Sequence, residues 1–128
     1  MTQEKFIKIL EEKKYSYERE GDEILVTHRG NVYLNSLESL PPGVQFQNKG
    51  NVDLYSLESL PASVQFQNQG SVWLSSLQSL PSGVQFQNQG NVWLNSLVGG
   101  WFNKWSGNVK GINHKRLLNL MIDKGVFT

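Results

Sequence analysis

The sequence predicts a mainly β fold: a short parallel β-solenoid of about four 20-residue coils, closed by an N-terminal helix-hairpin and a C-terminal helix. Three observations predict it. A 20-residue unit recurs as GNVYLNSLESLPPGVQFQNK from Gly30, GNVDLYSLESLPASVQFQNQ from Gly50 and GSVWLSSLQSLPSGVQFQNQ from Gly70, and a fourth copy opens as GNVWLNSL at Gly90. Within each unit, Val-x-Leu and Val-Gln-Phe-Gln alternate with the period of a strand. No unit carries an apolar stripe at helical spacing, so the leucines do not build a helix.

Taken in order, residues 1–29 read as an N-terminal cap. Phe6, Ile9 and Leu10 share one face of a helix over about residues 3–14. Tyr15 to Arg19 then alternates, turns at Gly21-Asp22 and returns as Ile24-Leu25-Val26. Ile24 and Val26 stand one period ahead of Val44 and Phe46, so this strand is a half-coil that starts the stack.

Residues 30–99 are the solenoid, divided as 30–49, 50–69, 70–89 and a partial 90–99. In the first coil the inward positions are Val32, Leu34, Leu37, Leu40, Val44 and Phe46. The steps of three between leucines turn the chain while both leucines still point inward. Pro41-Pro42-Gly43 and Asn48-Lys49-Gly50-Asn51 supply the other corners. Each coil then has two or three short strands, and coils about 4.8 Å apart stack like side chains in columns. Asn48, Asn68 and Asn88 are expected to form an amide ladder that donates and accepts along the stack.

Residues 100–128 are the C-terminal cap. Gly107-Asn108-Val109 echoes Gly90-Asn91-Val92. A final helix follows, with Asn113 as N-cap, Leu117, Leu118, Met121 and Ile122 on one face and Gly125 past its end. Open β-stacks recruit other chains through unpaired edges, so both caps are read as lids.

Composition narrows the function classes. The 128-residue chain is one folded domain with net charge +1 and no cysteine, hence no disulfide and no thiolate metal site. The N-terminus lacks an apolar leader and no stretch reaches membrane-span length, so an intracellular, cytoplasmic protein without a membrane partner is expected. The two histidines, His28 and His114, lie in opposite caps without metal-ligand spacing. His28 falls in the Asn48 column and reads as a corner hydrogen-bonder. Glu38 and Glu58 share one outward column with no cleft beside them. No catalytic, cofactor or metal site is assigned, and the chain reads as non-enzymatic.

One outward column breaks the copying. Tyr33, Asp53, Trp73 and Trp93 succeed one another opposite Val and Leu, beside Asn35, Tyr55, Ser75 and Asn95. A column that varies among near-copies is not dictated by the fold. With Trp101 and Trp105 following, Tyr33, Tyr55, Trp73 and Trp93 form the candidate interaction surface, for a protein partner or self-association. The bland alternative is that the C-terminal segment buries Trp73 and Trp93 as a satellite core. A stacked aromatic column also suits a carbohydrate. A second candidate surface, for nucleic acid, is the basic C-terminal set Lys104, Lys110, Lys115, Arg116 and Lys124. The flat glutamine face of Gln45/65/85 and Gln47/67/87 lacks the threonines that ice-binding arrays use.

The unit VxLxSLxSLPxGVxFxN, with the closing helix KRLLNLMIDKGVF from Lys115 to Phe127, resembles 20-residue repeats of small bacteriophage-encoded proteins. The resemblance spans nearly the whole chain and carries no catalytic or ligand-binding motif. It implies a β-solenoid, mostly of unknown function, in a class where some members block host defences. The Leu-Pro dipeptide and the 20-residue length also resemble leucine-rich repeats of bacterial effectors, which leaves a leucine-rich-repeat-like solenoid as the alternative fold. The chain departs from that pattern at Val44-Gln-Phe46-Gln-Asn48 and in its extra Val-x-Leu strand.

Overall fold

Two short strands form in each of the three complete coils, where the two alternating segments lie, in a computed structural model that describes residues 1–94 and 112–124. The chain opens with α1 (Gln3–Glu12), whose N-cap Thr2 accepts a hydrogen bond from the Lys5 amide at 3.2 Å. The helix stops two residues short of expectation because Lys14 adopts the left-handed conformation, φ 61°. Strands β1 (Tyr17–Glu20) and β2 (Glu23–Val26) form the antiparallel hairpin around Gly21, at φ 62°.

The coils supply β3 (Val32–Tyr33) and β4 (Val44–Phe46), β5 (Val52–Asp53) and β6 (Gln65–Phe66), β7 (Val72–Trp73) and β8 (Gln85–Phe86), and β9 (Val92–Trp93). Two sheets result, ordered β1-β2-β4-β6-β8 and β3-β5-β7-β9. Apart from the hairpin, every pairing is parallel and in a register of one period. Ile24 meets Val44, Gln45 meets Gln65, and Val52 meets Val72. This is a parallel β-solenoid of about four turns.

Burial explains the copying. Val32/52/72/92, Leu34/54/74/94, Leu37/57/77, Leu40/60/80, Val44/64/84 and Phe46/66/86 are all buried in one cluster with Phe6 and Leu10 of α1. The phenylalanines stack with centroids 5.3 and 4.9 Å apart and planes tilted by 7°. The first step of three in each of these coils is a turn closed by the second leucine's amide on the first leucine's carbonyl, from Leu37 to Leu34 at 3.1 Å, Leu57 to Leu54 at 3.1 Å and Leu77 to Leu74 at 3.2 Å. Gly70 is required by close approach: a Cβ there would stand 2.7 Å from the Gly50 carbonyl carbon.

The asparagine corners differ from the expected amide ladder. Asn48 Nδ2 donates to the carbonyls of Gly30 (3.0 Å), Gly50 (3.2 Å) and Asn51 (3.1 Å), and Asn68 repeats this one coil on. Their Oδ1 atoms accept no bond among the described residues. The corner turns three carbonyls toward one amide group, and each Nδ2 is used on them rather than on the asparagine of the next coil.

Helix α2 (Ile112–Asp123) covers the expected closing helix, with Asn113 in its first turn. Leu118 and Ile122 are buried and Met121 packs on the core as its spacing predicts. The side chains of Leu117 and His114, and Gly125 with the Gly107-Asn108-Val109 echo, lie outside the described residues. Asn119 faces β8 directly. Its Oδ1 accepts from the Phe86 amide and its Nδ2 donates to the Phe86 carbonyl, both at 2.8 Å. Gln85 adds a bond to Asp123 at 3.0 Å.

Candidate functional site

The four-stranded sheet presents the variable column because Val and Leu on either side of it point inward, leaving the intervening residue on the outer face. Tyr33 pairs with Asp53, Asp53 with Trp73, and Trp73 with Trp93, so the four lie on successive coils in one line. Tyr33 is 50% exposed and Tyr55, in the turn after β5, is 57% exposed. Trp73 and Trp93 are half-buried, as is Asp53. The tryptophans thus offer part of each ring to the surface. Asn95, Trp101 and Trp105 lie outside the described residues.

Neighbouring bonds hold Tyr33 and Asp53 of this column. The Asn31 amide group donates to the Tyr33 hydroxyl at 2.9 Å. The Tyr33 backbone amide, on the outer edge of the sheet, donates to the Tyr15 hydroxyl at 3.0 Å. Asp53 Oδ1 accepts from the Tyr55 amide at 3.1 Å, which ties the turn to the strand. A side-chain column two residues ahead stitches the coils together. Asn31 Oδ1 accepts from the Asn51 amide and Asn51 Oδ1 from the Ser71 amide, both at 2.8 Å, and Ser71 Oγ accepts from the Asn91 amide at 3.1 Å. Sequence reasoning passed over this role. Its signal was the Gly-Asn pair opening each coil, where the one replacement, serine, keeps an acceptor.

The other candidates do not join this column. Lys104 and Lys110 lie outside the described residues, as do the side chains of Lys115 and Arg116, while Lys124 is exposed. Glu38 and Glu58 are exposed. His28 does act at a corner: its Nδ1 accepts from the Ser16 amide at 3.4 Å, and its ring lies 4.9 Å from Tyr15. Among the described residues no group of acidic, histidine or cysteine side chains is arranged to hold a metal ion, and no helix is long and apolar enough to cross a membrane. The Tyr17 hydroxyl donates to the Glu11 carboxylate at 2.9 Å, and this bond raises the phenol above its ordinary pKa. An open cavity of about 490 Å³ beside Gln3, Asp22, Pro42 and Ser63 shares no residue with the column.

The column is therefore an ordered, partly exposed row of three aromatic rings interrupted by one carboxylate. Such a surface is suited to binding through ring faces and charge. Comparison with protein-family models, with curated proteins and with solved structures finds no match.

Proposed function

We propose that this protein is a non-enzymatic interaction module that meets a protein partner through the outer face of its four-stranded sheet. The carrying observation is the contrast between columns. Inward positions are invariant from coil to coil, while Tyr33, Asp53, Trp73 and Trp93 occupy one outward line that the fold leaves free to vary. Tyrosine and tryptophan are the residues that dominate interface energetics when a partner covers them. In this reading α1 with the hairpin and α2 close the two ends, so that association runs through the side of the solenoid and not through its edges. The resemblance to small bacteriophage-encoded proteins supports a host protein of a bacterial cytoplasm as partner, a defence protein among them.

The double change Trp73→Ser and Trp93→Ser tests the reading. Partner capture or self-association, followed by sedimentation and by pull-down with a defined host protein, is expected to fall at least tenfold, since anchors of this kind are worth about 2 kcal/mol or more each. The thermal midpoint is expected to move by only a few degrees. Unfolding of the double variant would assign the tryptophans to a satellite core and remove the interface.

A further inference from the structure

Coil two departs from its neighbours at two adjacent outward positions, and both changes point to one ligand chemistry. Asp53 stands where the other coils carry Tyr33, Trp73 and Trp93, and Tyr55 stands where coils one and three carry Asn35 and Ser75. The carboxylate is thus set in a ring-lined row, with Tyr33 paired to it on one side, Trp73 on the other and Tyr55 two residues along. From these positions we infer that the face around Asp53 is a seat for a cationic side chain, an arginine or lysine, of the protein partner. The inference rests on the interaction reading above and specifies what that partner must present.

Spacing favours the seat. Tyr33 and Trp73 are two strand spacings apart, roughly 9.6 Å, so a cation over Asp53 lies about 4.8 Å from each flanking column. Rings carried on neighbouring coils at that spacing can reach a cation seated over Asp53, since a ring face attracts a cation within about 6 Å of its centroid. The carboxylate supplies the counter-charge. Its Oδ1 is held by the Tyr55 amide, and among the described residues Asp53 makes no ion pair, leaving Oδ2 for a guanidinium or ammonium donor. Charge across the solenoid agrees. Residues 30–94 hold three acidic side chains, Glu38, Asp53 and Glu58, against one basic side chain, Lys49. A basic partner segment is complementary to this surface and an acidic one is repelled.

Blocked tripeptides Gly-Arg-Gly, Gly-Lys-Gly and Gly-Glu-Gly serve as probes, titrated into the full chain while backbone amide NMR shifts are followed. The arginine and lysine peptides are expected to give saturable shifts clustered at Tyr33, Asp53, Tyr55 and Trp73, weakening with added salt. The glutamate peptide is expected to give none. Asp53→Asn keeps the acceptor for the Tyr55 amide and removes the charge, and is expected to weaken the cationic peptides about tenfold without changing the thermal midpoint. Tyr55→Ser, the residue of coil three, should weaken them severalfold. Shifts that are absent or scattered over the surface overturn the seat, and so does affinity unchanged by Asp53→Asn. Shifts at Asp53 that follow protein concentration alone make a second copy the occupant and also overturn it. If partner capture is lost in the tryptophan double variant but kept in Asp53→Asn, the interface stands and the cation seat fails.

Discussion

The two sheets are built on the same coils yet present opposite kinds of surface. The five-stranded sheet repeats one face: Gln45, Gln65 and Gln85 half-buried, and Gln47, Gln67 and Gln87 exposed, the same residue in each coil. The four-stranded sheet changes its outward residue from tyrosine to aspartate to tryptophan. In the repeated coils both sheets point only valine or phenylalanine inward, with the leucines of the turns beside them in the same core. The core keeps the same residues whatever the four-stranded face carries, so the variation there is not set by the core. On the glutamine face, side chains bond to each other along the stack, Gln47 to Gln67 at 3.0 Å and Gln67 to Gln87 at 3.1 Å, so identity between coils has a structural use.

The largest effect that could break this contrast belongs to the core. Leu57 is fully buried between the equivalent Leu37 and Leu77. Leu57→Ala removes apolar burial and leaves a cavity that stacked coils cannot collapse around, an expected loss of about 2–5 kcal/mol in denaturant unfolding. A loss under about 1 kcal/mol would mean that inward and outward columns are not separated as the burial implies.

The next effect sharpens the contrast at the end of the stack. Asn119 occupies both hydrogen-bonding groups of Phe86 on the outer edge of β8, standing in for the strand of another coil. Asn119→Leu removes those partners and leaves a buried amide and carbonyl unpaired, at an expected cost of about 1–3 kcal/mol. An edge so freed can pair with another chain, and concentration-dependent association in sedimentation velocity should accompany the loss. A variant equally stable and monodisperse would show that the five-stranded sheet needs no such closure at β8.

How much of this was legible follows from what each residue depends on. The register was legible because a fixed period leaves one way to align the coils, and Ile24 with Val26 joined β4 by the same count. The outward column was legible from alternation. Asn119 was not, because nothing in a helix sequence tells which polar residue beside the apolar stripe will reach a strand edge. The Asn48 column was located but its bonds were not, since three carbonyls converge only once the corner has folded. Gln65 belongs to the flat glutamine face that alternation places opposite the core. It is half-buried and donates to the Gly83 carbonyl at 3.0 Å, a bond to the following coil that composition cannot reveal.

The smallest effect probes the glutamine face itself. Gln67 is exposed and lies at the middle of the ladder, accepting from Gln47 and donating to Gln87. Truncation to alanine removes both bonds, yet the released amides of Gln47 and Gln87 are exposed and turn to water. Net worth per exposed bond is small, because protein and solvent partners exchange at nearly equal free energy. Gln67→Ala should therefore cost less than about 1 kcal/mol, well below Leu57→Ala measured in the same way. A cost as large as that of Leu57→Ala would make the ladder a structural spine. The repetition of glutamine would then reflect a demand as strict as that on the core, and only the four-stranded face would remain free to vary.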